Sequence, residues 1–199
     1  MSKYLEYFDG AFDSTVADKM KPENKPYVAY SRTDGVVYTV IPEPVISDPW
    51  VTFTAEMDNS SIGLTELSTY QTLEYSTDTT TWNTFDTTTN ISLNNGDKVY
   101  VRGILRGNNT NVDFTQFAMT GKISISGSIN AIWDYINLEA PLKEYCGYNM
   151  FLNCPSLTKA PELPATILAN NCYHSMFSGC SSLTKAPKLP AMALADYCY

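Results

Sequence analysis

Five cysteines and a single histidine are the residues of this sequence best suited to metal binding or thiol chemistry. The cysteines alternate at spacings of eight and eighteen residues, whereas zinc sites need a close C-x₂₋₄-C pair. An odd number of cysteines also argues against a complete disulfide framework. We therefore expect buried free thiols that pack as small hydrophobic side chains, with no metal and no cofactor. These cysteines are Cys146, Cys154, Cys172, Cys180 and Cys198.

Paired carboxylates are the other candidates for chemistry, since glycoside hydrolysis uses two of them as acid and base. The acidic residues Asp78, Asp86, Asp97 and Asp113 lie among Thr, Asn and Gly, which is typical of turns. No pairing of a nucleophile with a base can be read from the sequence. We therefore expect a protein that is not an enzyme.

Charge and hydropathy exclude two classes of partner. The formal net charge is -8, whereas binding to a phosphate backbone needs an excess of Lys and Arg. No apolar run reaches the roughly 18 residues that a membrane-spanning helix needs. The first twenty residues have no apolar segment of the kind found in signal peptides. We expect no nucleic acid binding, no membrane insertion and no secretion through a signal peptide.

A tandem repeat accounts for the spacing of the cysteines. Residues 146–171, the first copy, match residues 172–197, the second copy, at 15 of 26 positions. The identical positions are mostly apolar or small, as expected when each coil buries its apolar side against the next. The Leu-Thr-Lys-Ala stretch of each copy is predicted to be a strand that ends at Pro161 or Pro187, and Thr166–Phe177 to carry a helical turn or two.

The repeat predicts a shared core of fourteen side chains. They are Cys146, Met150, Phe151, Cys154, Leu157, Leu163, Leu168, Cys172, Met176, Phe177, Cys180, Leu183, Leu189 and Leu194. His174 has Tyr148 as its counterpart in the first copy, which argues further against a metal site. The sequence stops at the second residue of a third copy, so we expect the natural protein to continue beyond Tyr199.

The sequence divides into three regions with different patterns, and the repeat lies in the third. Residues 1–45 contain a polar linker and two apolar runs around Thr33-Asp34-Gly35, which predicts a β-hairpin. Residues 46–128 alternate apolar and polar side chains between turns, which predicts an antiparallel β-sandwich. Residues 129–199 are expected to hold a cap, at 129–142, followed by the repeats. The predicted class is mainly β.

Several of these motifs resemble known proteins. The run from Met150 to Ala165, with its Cys, Ser-Leu-Thr-Lys-Ala-Pro and Leu-Pro-Ala elements, resembles the BspA-like, Treponema-type leucine-rich repeats of gut Bacteroidetes surface proteins and their phages. The segments Leu73–Asp78 and Asn95–Gly103 are similar to an Ig-like sandwich placed before such repeats. The segment Lys25–Tyr30 is similar to N-terminal segments of crAss-like Bacteroides phage virion proteins.

The resemblance implies a virion head fibre or decoration fibre, assembled in the host cytoplasm and attached to the particle surface. Its N-terminal segment would contact capsid or other virion proteins, and an isolated hairpin needs such a surface. The expected contact residues are Tyr27, Val28, Tyr30, Val36, Val37, Tyr38 and Val40. A homo-oligomer is expected, with a trimer favoured. The repeats would face a host polysaccharide or surface protein.

Two other binding functions stay open at this point. A secreted bacterial surface adhesin with leucine-rich repeats would need a signal peptide or lipobox, which residues 1–20 lack. A tail-associated receptor-binding protein would use the same repeats from another place on the particle.

Overall fold

The computed structural model describes residues 48–199, together with two strands of the N-terminal part, β1 (Tyr27–Tyr30) and β2 (Val37–Val40). β1 and β2 pair in antiparallel register, with Tyr27 opposite Val40 and Tyr30 opposite Val37. The hairpin predicted around Asp-Gly is thus confirmed at the level of strand pairing. The turn itself and Val36 lie outside the described residues.

The chain divides into two compact units, Met1–Ile46 and Ser47–Tyr199. The second unit holds the remaining elements: β3 (Val51–Ala55), β4 (Ser60–Glu66), β5 (Gln71–Ser76), β6 (Asn83–Thr84), β7 (Asn90–Leu93), β8 (Lys98–Leu105), β9 (Gln116–Thr120), β10 (Ile123–Ser126), a four-residue helix α1 (Asn130–Trp133) and β11 (Leu157–Lys159). Within the described part of the chain, no helix is long and apolar enough to cross a bilayer.

Two sheets form the second unit. The larger has the order β11-β10-β3-β8-β5-β6 and the smaller has the order β7-β4-β9. All neighbouring strands are antiparallel except β10 and β11, which are parallel. The expectation of a mainly β protein with antiparallel sheets is confirmed.

Alternating side chains from both sheets form the core. β8 shows the period-two pattern most clearly, because every second side chain from Val99 to Leu105 is buried. Phe53 of the larger sheet contacts Phe117 of the smaller one, with ring centroids 5.1 Å apart, and Phe85 contacts Phe117 at 6.1 Å. These three fully buried rings hold the two sheets face to face.

The α1 helix packs against β8 close to Gly103. Tyr135 donates its N–H to the carbonyl of Gly103, and the buried side chain of Gln71 donates to the carbonyl of Ile132 at 2.7 Å. A side chain at Gly103 would meet the Ile132 carbonyl oxygen at 2.5 Å, so the close approach of helix and strand requires glycine. Part of the segment expected to cap the repeats therefore packs against the sandwich.

Candidate functional site

The two copies of the repeat stack through a ladder of backbone hydrogen bonds. Gly147, Asn149, Phe151 and Asn153 of the first copy donate their N–H groups to carbonyls of the second copy at 2.6–3.0 Å. Their acceptors are Cys172, His174, Met176 and Ser178, each 25 residues further along. The even-numbered residues between them donate instead to the carbonyl three residues before them in the chain. Alternate N–H groups thus close turns and link the copies.

Left-handed residues occur every fourth position along this ladder. Asn149 and Asn153 have φ of 53° and 55°, and their counterparts Ser175 and Gly179 have φ of 53° and 77°. Asn and Gly are the residues that adopt this conformation most easily. The helical turns expected in Thr166–Phe177 are therefore wrong, because the chain forms successive turns here, and a residue of positive φ every four positions is incompatible with an α-helix.

The strand predicted in each copy forms only in the first. Leu157–Lys159 is β11, which pairs with β10 of the sandwich. The matching stretch Leu183–Lys185 is not a strand. The difference follows from pairing, since β11 has β10 as a neighbour and Leu183–Lys185 has no paired strand among residues 48–199.

Strand β9 makes the contacts to the first copy that the first copy makes to the second. Phe117 donates its N–H to the Met150 carbonyl at 2.9 Å, as Phe151 does to Met176 at 3.0 Å. The Cys154 thiol donates to the Phe117 carbonyl at 3.3 Å, as Cys180 does to Phe151 at 3.0 Å. The sandwich therefore presents the surface of a preceding coil, and we call residues 114–129 the template segment.

Two columns of rings run through the template segment and both copies. Phe117, Phe151 and Phe177 follow one another at 5.3 and 5.7 Å between ring centroids. Phe114, Tyr148 and His174 follow one another at 5.3 Å in each step. The template residues stand 34 positions before their counterparts, not 26. The sequence does carry a signal for them, because in all three segments an aromatic ring residue is followed three positions later by Phe. The prediction of a cap at 129–142 did not use this signal.

Most of the predicted repeat core is buried. The buried members are Cys146, Met150, Phe151, Cys154, Leu157, Leu163, Cys172, Met176 and Cys180, while Leu168, Phe177 and Leu183 are half-buried. Leu189 and Leu194 differ from the prediction, with 49% and 72% of their surface exposed. Both lie in the second copy.

The five cysteines are free and buried. Burial raises the pKa of the Cys154 thiol to about 12 and that of Cys172 to about 11, and neighbouring thiols add to both shifts. Burial, together with the neighbouring Cys172 thiol, also raises the pKa of the Cys146 thiol. Each of these groups stays a neutral thiol, as expected for a small hydrophobic side chain. Within the described residues, no cluster of His, Cys, Asp and Glu is suited to hold a metal ion.

The carboxylates of Asp78, Asp86, Asp97 and Asp113 accept hydrogen bonds from their own turns or from a second loop. Asp78 accepts from the N–H groups of Thr80 and Thr81 at 2.8 and 2.7 Å. Asp113 accepts from the hydroxyl of Thr69 at 2.5 Å and from the N–H of Thr69 at 2.9 Å. These bonds hold the pKa of Asp78 and that of Asp113 below the usual value for a carboxyl. The turn role expected for Asp78 is confirmed, and Asp86 and Asp97 have similar contacts. Asp113 instead joins two loops that are 44 residues apart in the sequence.

A cluster of aromatic and charged side chains lies on the outer face of the larger sheet. The Arg102 guanidinium is 3.8 Å from the ring centre of Trp82 on one side and 4.3 Å from that of Tyr135 on the other. Its Nε atom lies 2.8 Å from Glu74, its neighbour on β5. Arg102 thereby attaches the chain segments of both rings to β8.

Comparison with known proteins finds no matching protein family, curated protein or solved structure. The stacked segment formed by β9, β10 and the two copies is the candidate functional site. The N-terminal contact residues stay a prediction: Tyr27, Val28, Tyr30, Val37, Tyr38 and Val40 lie in β1 and β2, and Val36 lies outside the described residues.

Proposed function

We propose that this chain is an attachment protein, specifically a head fibre or decoration fibre of a bacteriophage particle that displays stacked repeats to a host surface. In this proposal the sandwich is Ig-like, and the two copies begin a solenoid of BspA-like leucine-rich repeats. The N-terminal segment attaches to capsid or other virion proteins, and the chains assemble as homo-oligomers, with a trimer favoured.

The observation that carries the proposal is the continuity between sandwich and repeat. A flexible linker would leave the repeats free to reorient, but here Phe117 donates to Met150 and stacks on Phe151. Two further backbone bonds, from Ile123 to the Ser156 carbonyl and from Ile129 to the Glu162 carbonyl, fix the same junction. A base fixed in this way suits a protein that projects a recognition surface in a defined direction.

The surface composition of the copies supports a binding role. Positions that differ between the copies are mostly polar, as where Glu162 in one is Lys188 in the other, and both of these side chains are exposed. Repeat proteins vary such positions on a constant core to recognise partners. A polysaccharide or a protein of the host cell envelope is the proposed ligand class.

Localisation on purified particles tests the virion role. Antibodies against residues 48–199 should label the particle surface, and a reconstruction of the particle should place residues 1–46 against a capsid or other virion protein. Particles that lack the protein, or its presence on bacterial cells before infection, would contradict the proposal and favour a bacterial adhesin.

Binding to host cells tests the attachment role separately. The purified chain should bind cells of the host, and cells stripped of surface polysaccharide or treated with protease should identify the ligand class. If the protein is on the particle but the purified chain does not bind untreated host cells, the attachment role is contradicted and only a structural role in the virion remains.

A further inference from the structure

A cleft lies between the end of β8 and the chain segment that begins with α1. Leu105 lines it from β8, Trp133 lines it from α1, and Pro141 and Leu142 line it from the loop that follows. The cleft contains about 340 Å³ of empty space, part of which is open to solvent. Apolar walls with a few polar groups among them are the usual composition of a small-molecule site.

Two lining residues have buried polar atoms without a hydrogen-bond partner. Asn130 is 8% exposed and Trp133 is 6% exposed. Within residues 48–199, neither Asn130 Oδ1 nor Trp133 Nε1 has a partner. Asn130 Nδ2 donates to the Leu138 carbonyl at 2.8 Å, which fixes the orientation of the amide and identifies the unpartnered atom as the oxygen. Such atoms are rare in proteins, and a bound molecule is one explanation for them.

Two side chains of opposite charge line the same cleft. Asp134 accepts two backbone N–H groups of the following turn through Oδ1, so its carboxylate is held in place. Lys143 donates through Nζ to the Leu105 carbonyl. The two charges do not form an ion pair with each other. An ammonium group has three donors and a carboxylate has several acceptor positions, so both side chains can still bond to a ligand.

We infer that this cleft binds a small zwitterion, a molecule that carries an ammonium and a carboxylate group on neighbouring atoms, as a free α-amino acid does. The two donors, Lys143 Nζ and Trp133 Nε1, match the carboxylate of such a ligand. The two acceptors, the Asp134 carboxylate and Asn130 Oδ1, match its ammonium group. The cleft is separate from the surface of the repeats, and the inference does not depend on the attachment role proposed above.

The side chain of Lys143 is the part of the lining that moves most easily. Trp133 Nε1 and Asn130 Oδ1 are out of contact with solvent, so a ligand reaches them only when part of the lining moves. Lys143 is half-buried and its ammonium group is carried on a flexible four-carbon stem. Binding therefore exchanges the Leu105 carbonyl for the ligand carboxylate as the acceptor of Lys143.

Nuclear magnetic resonance on the ¹⁵N-labelled full chain tests the inference. The chain has three tryptophans, Trp50, Trp82 and Trp133, and Trp133→Phe identifies the indole N–H signal of the third. Titration with L-alanine should shift the Trp133 signal and leave the other two unchanged as internal references. N-acetyl-L-alanine lacks the ammonium group, ethylamine lacks the carboxylate and glycerol lacks both. Each should bind more weakly by about tenfold or more, because each loses at least one charged hydrogen-bonding group.

Charge-removing variants test the two residues assigned to the ligand. Lys143→Gln and Asp134→Asn should each weaken the binding of L-alanine by about tenfold or more. Lys188→Gln, at an exposed position of the second copy, is the matched control and should bind as the parent chain does. Unchanged Trp50 and Trp82 signals show that a variant is folded.

Three results would overturn the inference. One is a Trp133 signal that does not move at millimolar L-alanine. The second is equal binding of N-acetyl-L-alanine or ethylamine, which would make the cleft a site for a single ion. The third is equal binding of glycerol, which would make it a site for neutral hydroxyl groups. The ligand series uses the parent chain alone, so it decides the question even if a variant fails to fold.

Discussion

The ring of Phe117 in β9 lies 5.3 Å from the ring of Phe151 in the first repeat copy, with 26° between the two planes. Phe117 also contacts Phe53 and Phe85, so one side chain belongs both to the sandwich core and to the ring column of the repeat. Folding of the sandwich therefore creates the surface on which the first coil packs.

Replacing Phe117 by Ala should destabilise the whole second unit by roughly 3–5 kcal/mol, the usual cost of truncating a fully buried Phe. Urea unfolding followed by fluorescence measures this loss. Phe114→Ala is the matched control, because Phe114 is half-buried and contacts Tyr148 alone among the ring pairs. Equal losses for the two variants would show that the junction does not depend on Phe117.

Replacing Gly103 by Ala should also destabilise the unit, by about 1–3 kcal/mol or more, because the added methyl overlaps its neighbours. It would meet the backbone oxygens of Ile132 and Thr72 at 2.5 and 2.8 Å. Gly96→Ala isolates the backbone contribution, since Gly96 has φ of 89° and open space around it, and should cost only about 1–2 kcal/mol. Thermal unfolding of both variants measures the difference, and a smaller loss for Gly103→Ala would contradict the packing of α1 on β8.

The native chain should not react with Ellman's reagent at pH 8 over minutes, whereas all five thiols should react in guanidinium chloride. Thiolates are the reactive species, and burial raises the pKa of the Cys154 thiol to about 12 and that of Cys172 to about 11. A variant with Ser181→Cys, at an exposed position, should give one fast-reacting thiol. Rapid reaction of the unmodified native chain would mean that the repeat core opens easily.

Stability should decrease as the pH falls below about 4, the usual pKa of an aspartate in an unfolded chain. The pKa of Asp113 and that of Asp86 are lowered in the folded chain by hydrogen bonds, chiefly from Thr69 and Thr88. Groups of this kind stabilise the folded state above the unfolded pKa, and the effect is lost as the pH falls through the folded pKa.

Asp113→Asn should flatten this acid dependence, as measured by urea midpoints between pH 2 and pH 5. Asp48→Asn, at an exposed carboxylate, is the control and should leave the curve unchanged. The same slope in Asp113→Asn as in the parent chain would show that the link between Asp113 and Thr69 does not contribute.

Prediction from the sequence succeeded where local pattern and structure share one period. The alternation of Val99 and Val101 predicted a strand at Lys98–Arg102, which forms the first part of β8. The 26-residue offset predicted that like residues stack, as Phe151 and Phe177 do. Strand β4 was missed, because Ser60, Ser61 and Gly63 interrupt its apolar pattern, although the chain there pairs with strands on both sides.

The sequence by itself determined the mainly β composition, the free thiols and the period of the repeat, because each depends on residue types at regular spacing. Only the tertiary structure decided that β9 packs on the first copy in the way that the first copy packs on the second. Phe117 and Phe151 are 34 residues apart rather than 26, and Phe117 belongs to the alternating strand pattern and not to the repeat. It also decided the polarity of the stack. The backbone conformation of the turns decides which N–H groups donate to the next copy, as those of Phe151 and Asn153 do. No side-chain pattern specifies this direction.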